Sequence, residues 1–135
     1  MYDRSMSLQA WGAYGILWPV VHQQLGVAPD LGNGRLSVIP QLPAGQDRIA
    51  GSDIRLGSGS ADVKVWRKGA TLATSVRLDD LRTDLTVGAV LPAGKQPTKV
   101  TFNGRAVDYE VVTTARGTEV RAAVQKDGTL EVKFR

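Results

Sequence analysis

The chain has no cysteine and a single histidine, His22. The first absence excludes disulfides, thiolate zinc sites and cysteine nucleophiles. The second excludes a cluster of histidine metal ligands and any mechanism that needs two imidazoles. Aromatic residues make up 6% of the sequence, which leaves little material for a broad stacking surface. Blocks of Lys and Arg interleaved with aromatics are missing. Arg77 and Arg82 bracket Asp79 and Asp80, and Arg105 is followed by Asp108 and Glu110. The net charge of +4 therefore reads as a solvated surface and not as a nucleic-acid footprint. No internal repeat or low-complexity run stands out, and no motif implies a cofactor. What remains is 135 residues of ordinary composition, enough for one domain with a real core.

Charge is also missing from one long stretch. "SLQAWGAYGILWPVVHQQLGVAPD", Ser7 to Asp30, carries no Asp, Glu, Lys or Arg before its last residue. A membrane-spanning helix needs about 20 apolar residues, and Gly12, Gly15, Pro19 and His22-Gln23-Gln24 interrupt this run. A signal peptide would start from Arg4, but Asp3 cancels that charge, and two tryptophans and a proline are poor material for its core. The balance favours a cytoplasmic location. The remaining reading is a helix from about Leu8 to Leu25. Ser7 is its N-cap, Pro19 its kink and Gly26 its stop. Its apolar residues do not fall on one stripe, and a helix apolar all round is a buried helix. One sheet covers one face only. The other face, with Trp11, Tyr14, Ile16, Leu17, Trp18 and Val21, requires either further helices from a longer protein or self-association.

After the turn-rich "DLGNG" the sequence reads as β. In "ADVKVWRK", Val63 and Val65 fall on one face and Lys64 and Trp66 on the other. In "ATLATSVRL", Leu72, Thr74, Val76 and Leu78 share a face. "RIAGSDIRLG" has a central Gly-Ser kink. "TKVTF" and "RAVDYEVVTT" flank Asn103-Gly104, the strongest short hairpin signal. Lys126-Asp127-Gly128 joins the last two strands. About eight short strands at this spacing predict an antiparallel β-sandwich. The expected architecture is thus mainly β: one N-terminal apolar helix, in a segment 1–30, followed by a sandwich over 31–135.

Little in this pattern carries chemistry. Asp79-Asp80 sits in a polar connection, and Asp53 lies where its carboxylate would bond neighbouring backbone. "GSGSAD" lacks the Lys-Ser/Thr ending of a phosphate loop. His22 has no Ser/Asp constellation and reads as a packing residue. Trp11 and Trp18 would stack on sugars if exposed, but on so apolar a helix they read as core. Trp66, on the polar face of its strand, is the tryptophan placed to form an exposed platform, although covering a domain interface is the commoner role of such a residue.

The order of the pieces resembles the C-terminal end of bacterial six-hairpin glycosidases, the (α/α)6-toroid enzymes grouped around glucoamylases, glycogen-debranching-like proteins and α-L-rhamnosidases. The resemblance runs through Gln9 and Trp11 on a late toroid helix and the turn Leu25-Gly26 with Pro29-Asp30. It continues in the strand exit Pro40, Leu42 and Pro43, and in "VTFNGRAVDYEVVTTARGTEV" of the sandwich tail. It implies that the apolar segment is the last helix of a toroid and that the sandwich packs on it. Members of the family are usually inverting hydrolases with two carboxylic acids around the scissile bond. Asp3 and Asp30, the only carboxylates of the helical part, match no catalytic motif, and no catalytic residue is carried over. The resemblance implies a non-catalytic accessory domain, partnered by the rest of the toroid or by a second copy. The alternative is an independent carbohydrate-binding sandwich using Gln9, Trp11 and Trp66, with Tyr109 as a further stacking group. A secreted or envelope sandwich with a cleaved signal is a third reading.

Overall fold

A computed structural model describes residues 24–135. They form eleven strands in two sheets. In chain order these are β1 (Val27–Asp30), β2 (Arg35–Val38), β3 (Arg48–Leu56), β4 (Gly59–Lys68), β5 (Thr71–Asp79) and β6 (Asp84–Val90), then β7 (Pro97–Phe102), β8 (Arg105–Ala106), β9 (Glu110–Thr114), β10 (Gly117–Val124) and β11 (Gly128–Phe134). Sheet A has the order β1-β2-β6-β10-β9, and sheet B the order β3-β4-β5-β11-β7-β8. The mainly β architecture is as the alternation predicts. The expected helix lies outside the described residues apart from its last two positions, and Leu25 there is a core residue at 1% exposure.

Alternation explains why two sheets close on one core. Val63 in β4, Leu72 and Val76 in β5 and Leu130 and Val132 in β11 point inward from sheet B. Leu36, Val38, Leu85, Val87 and Val120 answer them from sheet A. Burying side chains of this size contributes roughly 1.5–3 kcal/mol each, which offsets the entropy of ordering the strands. Thr74 is the polar exception on this inner surface. It is fully buried, and its hydroxyl donates to the Gly88 carbonyl at 2.9 Å, linking the two sheets. Thr74→Val keeps the shape and removes that bond. We expect a loss of about 1 kcal/mol, read as a shift in the urea midpoint without a change in slope.

Three features differ from the sequence pattern. The sandwich is not wholly antiparallel, because β2 pairs with β6 in parallel. The β3–β4–β5 meander of sheet B intervenes between them, so no hairpin can join them, and parallel partners need such a crossover. "RAVDYEVVTT" is not one strand either. β8 ends at Ala106, and the chain passes from sheet B to sheet A before β9. Finally, "VAPD" is strand β1 and not the exit of a helix, so the sandwich takes in residues ahead of position 31. The Asn103-Gly104 hairpin is present, with Phe102 opposite Arg105. Both turn residues have positive φ, as a tight primed turn requires. The Gly-Ser kink is a bulge in β3 between Gly51 and Ile54. There the Asp53 amide donates to the Asp62 carboxylate at 2.7 Å, so it is Asp62, and not Asp53, that holds the turn.

Candidate functional site

The chain reaches sheet A with no slack. Beyond the β1–β2 pairing the ladder continues: the Ile39 amide donates to the Gly26 carbonyl at 3.0 Å and the Gln41 amide to the Gln24 carbonyl at 2.8 Å. Leu25 is buried between these bonds. Gln41 also donates from Nε2 to the Arg116 carbonyl at 3.1 Å, and the Arg116 guanidinium donates to the Ile39 carbonyl at 2.7 Å. The first described residue is therefore clasped to the β9–β10 turn on the far side of the sheet.

Beside this clasp a cleft of about 930 Å³ opens at the end of the sandwich. Leu42, Pro43, Leu91 and Pro92 supply its apolar lining, and Arg67 and Arg116 its charge. Arg67 is stacked over the Phe134 ring at 5.2 Å and donates from Nε to the Gly69 carbonyl at 3.0 Å. Asp47 is the carboxylate on the rim.

The outward face of sheet A is unusual for a solvated sheet. Ala28, Ser37, Thr86 and Ala123 form one cross-strand row of small residues. In the next rows Gly88, Val90 and Glu119 are buried. Glu119 is 3% exposed, and Arg121 grips its Oε2 through Nε at 3.0 Å and Nη2 at 2.7 Å. Thr114 donates to Oε1 at 3.0 Å, and Arg116 lies 3.5 Å from the same oxygen. Sequence reading missed this cluster, because a lone Glu between Thr118 and Val120 in an alternating strand reads as a solvent-facing residue.

Of the residues singled out in the sequence, Gln9, Trp11, Tyr14, Ile16, Leu17, Trp18 and Val21 lie outside the described residues. Trp66 is half-buried on the outward face of sheet B, in a row with Arg48, Ala73 and Glu131. Tyr109 is 42% exposed in the crossing between β8 and β9. The two are on separate elements, and no contact joins them into one site.

No family model matches the chain, and no solved structure matches it. A protein of Archaeoglobus fulgidus described as uncharacterized is 33% identical over 61 residues, which is 45% of this chain and 36% of that protein. The chain thus spans about a third of the length of this relative.

Proposed function

We propose that the sandwich is the non-catalytic accessory domain of a six-hairpin-type glycosidase, held against a helical domain of which the segment ahead of Gln24 supplies the last helix. The observation that carries this reading is the clasp at Gln24. A module meant to move independently is joined by a Gly/Ser- or Pro-rich linker. Here the chain from Gln24 on is hydrogen-bonded to Ile39 and Gln41 with Leu25 in the core, so Gln24 itself is fixed to the sandwich next to the cleft. The small-residue row on sheet A suits close approach by a further layer. The glycosidase identity itself rests on the sequence resemblance.

Two measurements on the full chain test this. The apolar segment should drive concentration-dependent association in sedimentation, and Leu17→Glu combined with Trp18→Glu should abolish it. A clean monomer at high micromolar concentration, with Trp11 and Trp18 shielded from a quencher, would contradict the reading. The full chain should also give no turnover of aryl glycosides or α-glucans. Turnover that disappears on substitution of a residue of this chain would show that the domain is catalytic.

A further inference from the structure

Cations that are scattered along the sequence gather on the outward face of sheet B. The cross-strand register places Lys68, Thr71, Lys133 and Lys99 in one row over β4, β5, β11 and β7. The neighbouring row is Arg48, Trp66, Ala73, Glu131 and Thr101, and the next is Ala50, Lys64, Ser75 and Thr129. With Arg77 opposite Asp62 and Asp79 beyond it on β5, the six basic side chains of these rows share the face with three carboxylates, Asp62, Asp79 and Glu131. Lys99 and Lys133 stand directly opposite each other, an arrangement that destabilises a sheet. Among the described residues none of these cations has a carboxylate within 4.0 Å.

Trp66 sits inside this field. Lys64 and Lys68 flank it two residues away on its own strand, and Arg48 is its partner on β3. Its other neighbours on the face, Ala50, Thr71, Ala73 and Ser75, are small, and the indole lies half-buried among them. Arg67 over Phe134 is the stacked cation among the described residues, so no cation of the face caps the Trp66 ring.

We propose that this face binds an acidic polysaccharide, a chain of uronic-acid residues. The apolar face of one pyranose stacks on Trp66, and carboxylates of that sugar and its neighbours pair with Lys64, Lys68, Arg48 and the Lys133–Lys99 pair. Strands about 4.8 Å apart spread the Lys68-to-Lys99 row over about 14 Å, so successive sugars of an extended chain meet successive cations. A single aromatic platform on an open sheet does not suit single-stranded nucleic acid, which is held by stacking successive bases on several rings. The face lies on the opposite side of the sandwich from the surface assigned above to helical packing, and the proposal does not depend on that assignment.

The test is calorimetric titration of the full chain with polygalacturonate, with amylose and a single-stranded oligodeoxynucleotide as the other arms. Polygalacturonate should bind, more weakly as salt rises, while amylose does not bind and the oligonucleotide binds less tightly. Trp66→Ala should weaken binding about tenfold or more, and Trp66→Phe should retain most of it. Because Trp66 also shields Ala73, the second variant is Lys99→Gln with Lys133→Gln. It relieves a like-charge pair, so it folds, and it should weaken binding several-fold and flatten the salt dependence. Absence of polygalacturonate binding overturns the proposal. So does equal binding of amylose, tighter binding of the oligonucleotide, or binding unchanged by Trp66→Ala or by the double lysine variant. Association in sedimentation is a separate readout, so failure here leaves the accessory-domain reading standing and the converse also holds.

Discussion

Gly26→Ala should destabilise the full chain by about 3 kcal/mol or more. Gly26 has φ +63, a conformation that costs an L-residue roughly 1–2 kcal/mol. Space makes the larger difference. A Cβ at this position would overlap the carbonyl oxygen and carbon of Ile39. Those are backbone atoms, so no rotamer change relieves the clash. Ile39 is itself tied to Gly26 by the bond between its amide and the Gly26 carbonyl. Relief requires β1 to lift from β2, which would draw Leu25 and Val27, both essentially unexposed, out of the core. Gly104→Ala is the control. Its φ is also positive, at +79, but nothing lies within 4 Å of the added carbon, so it should cost only about 1 kcal/mol. Urea unfolding of both variants gives the comparison. Equal losses would mean that the strand holding Gln24 is not locked, and would remove the main support for a rigidly docked accessory domain.

The legible part of this fold is the part governed by period two. β11 and β4 from Ala61 onward alternate cleanly, and Val63, Val65, Leu72, Thr74 and Val76 are inside as that alternation requires. The Asn103-Gly104 turn was legible because its conformation demands those residues. β1 was not, because Pro29 and Asp30 are turn formers and the apolar residues before them continue a helical run. Pro29 is tolerated because β1 is an edge strand of sheet A. The parallel β2–β6 pair was also hidden, since pairing between strands separated by a whole meander leaves no local mark.

The same limit governs the candidate site. Trp66 was placed on an outward face by alternation alone. Its surroundings were not, because Lys68, Lys99 and Lys133 are far apart in sequence and become neighbours only through the β4–β5–β11–β7 register. A basic sequence with no basic block therefore produces a basic face. Glu119 was hidden for a related reason. The residues that cover it include Arg116 from the preceding turn and Thr114 across the hairpin, and only the closed β9–β10 hairpin brings them to it.

That cluster supports the second large prediction, in which the two halves of one ion pair are unequal. Arg121→Leu should cost about 3 kcal/mol, whereas Glu119→Leu should cost only about 1–2 kcal/mol. Both changes break the Arg121–Glu119 contact at 2.7 Å. They leave different groups behind. Glu119 is 3% exposed, so without Arg121 its carboxylate keeps only the Thr114 hydroxyl and the more distant Arg116, with no route to water. The Arg121 side chain is 31% exposed, so without Glu119 its guanidinium can turn outward and be hydrated. A new leucine at 119 would also sit between Val90 and Val112, which are its partners across the sheet. The double variant Glu119→Leu with Arg121→Leu should therefore lose less than the sum of the single losses, because the burial penalty of the carboxylate disappears with it. Equilibrium denaturation of the three variants tests the ordering. If Glu119→Leu proves the more damaging single change, the carboxylate is acting as an anchor for both arginines and for the Arg116 bond to the Ile39 carbonyl. The clasp around Gln24 would then depend on it directly.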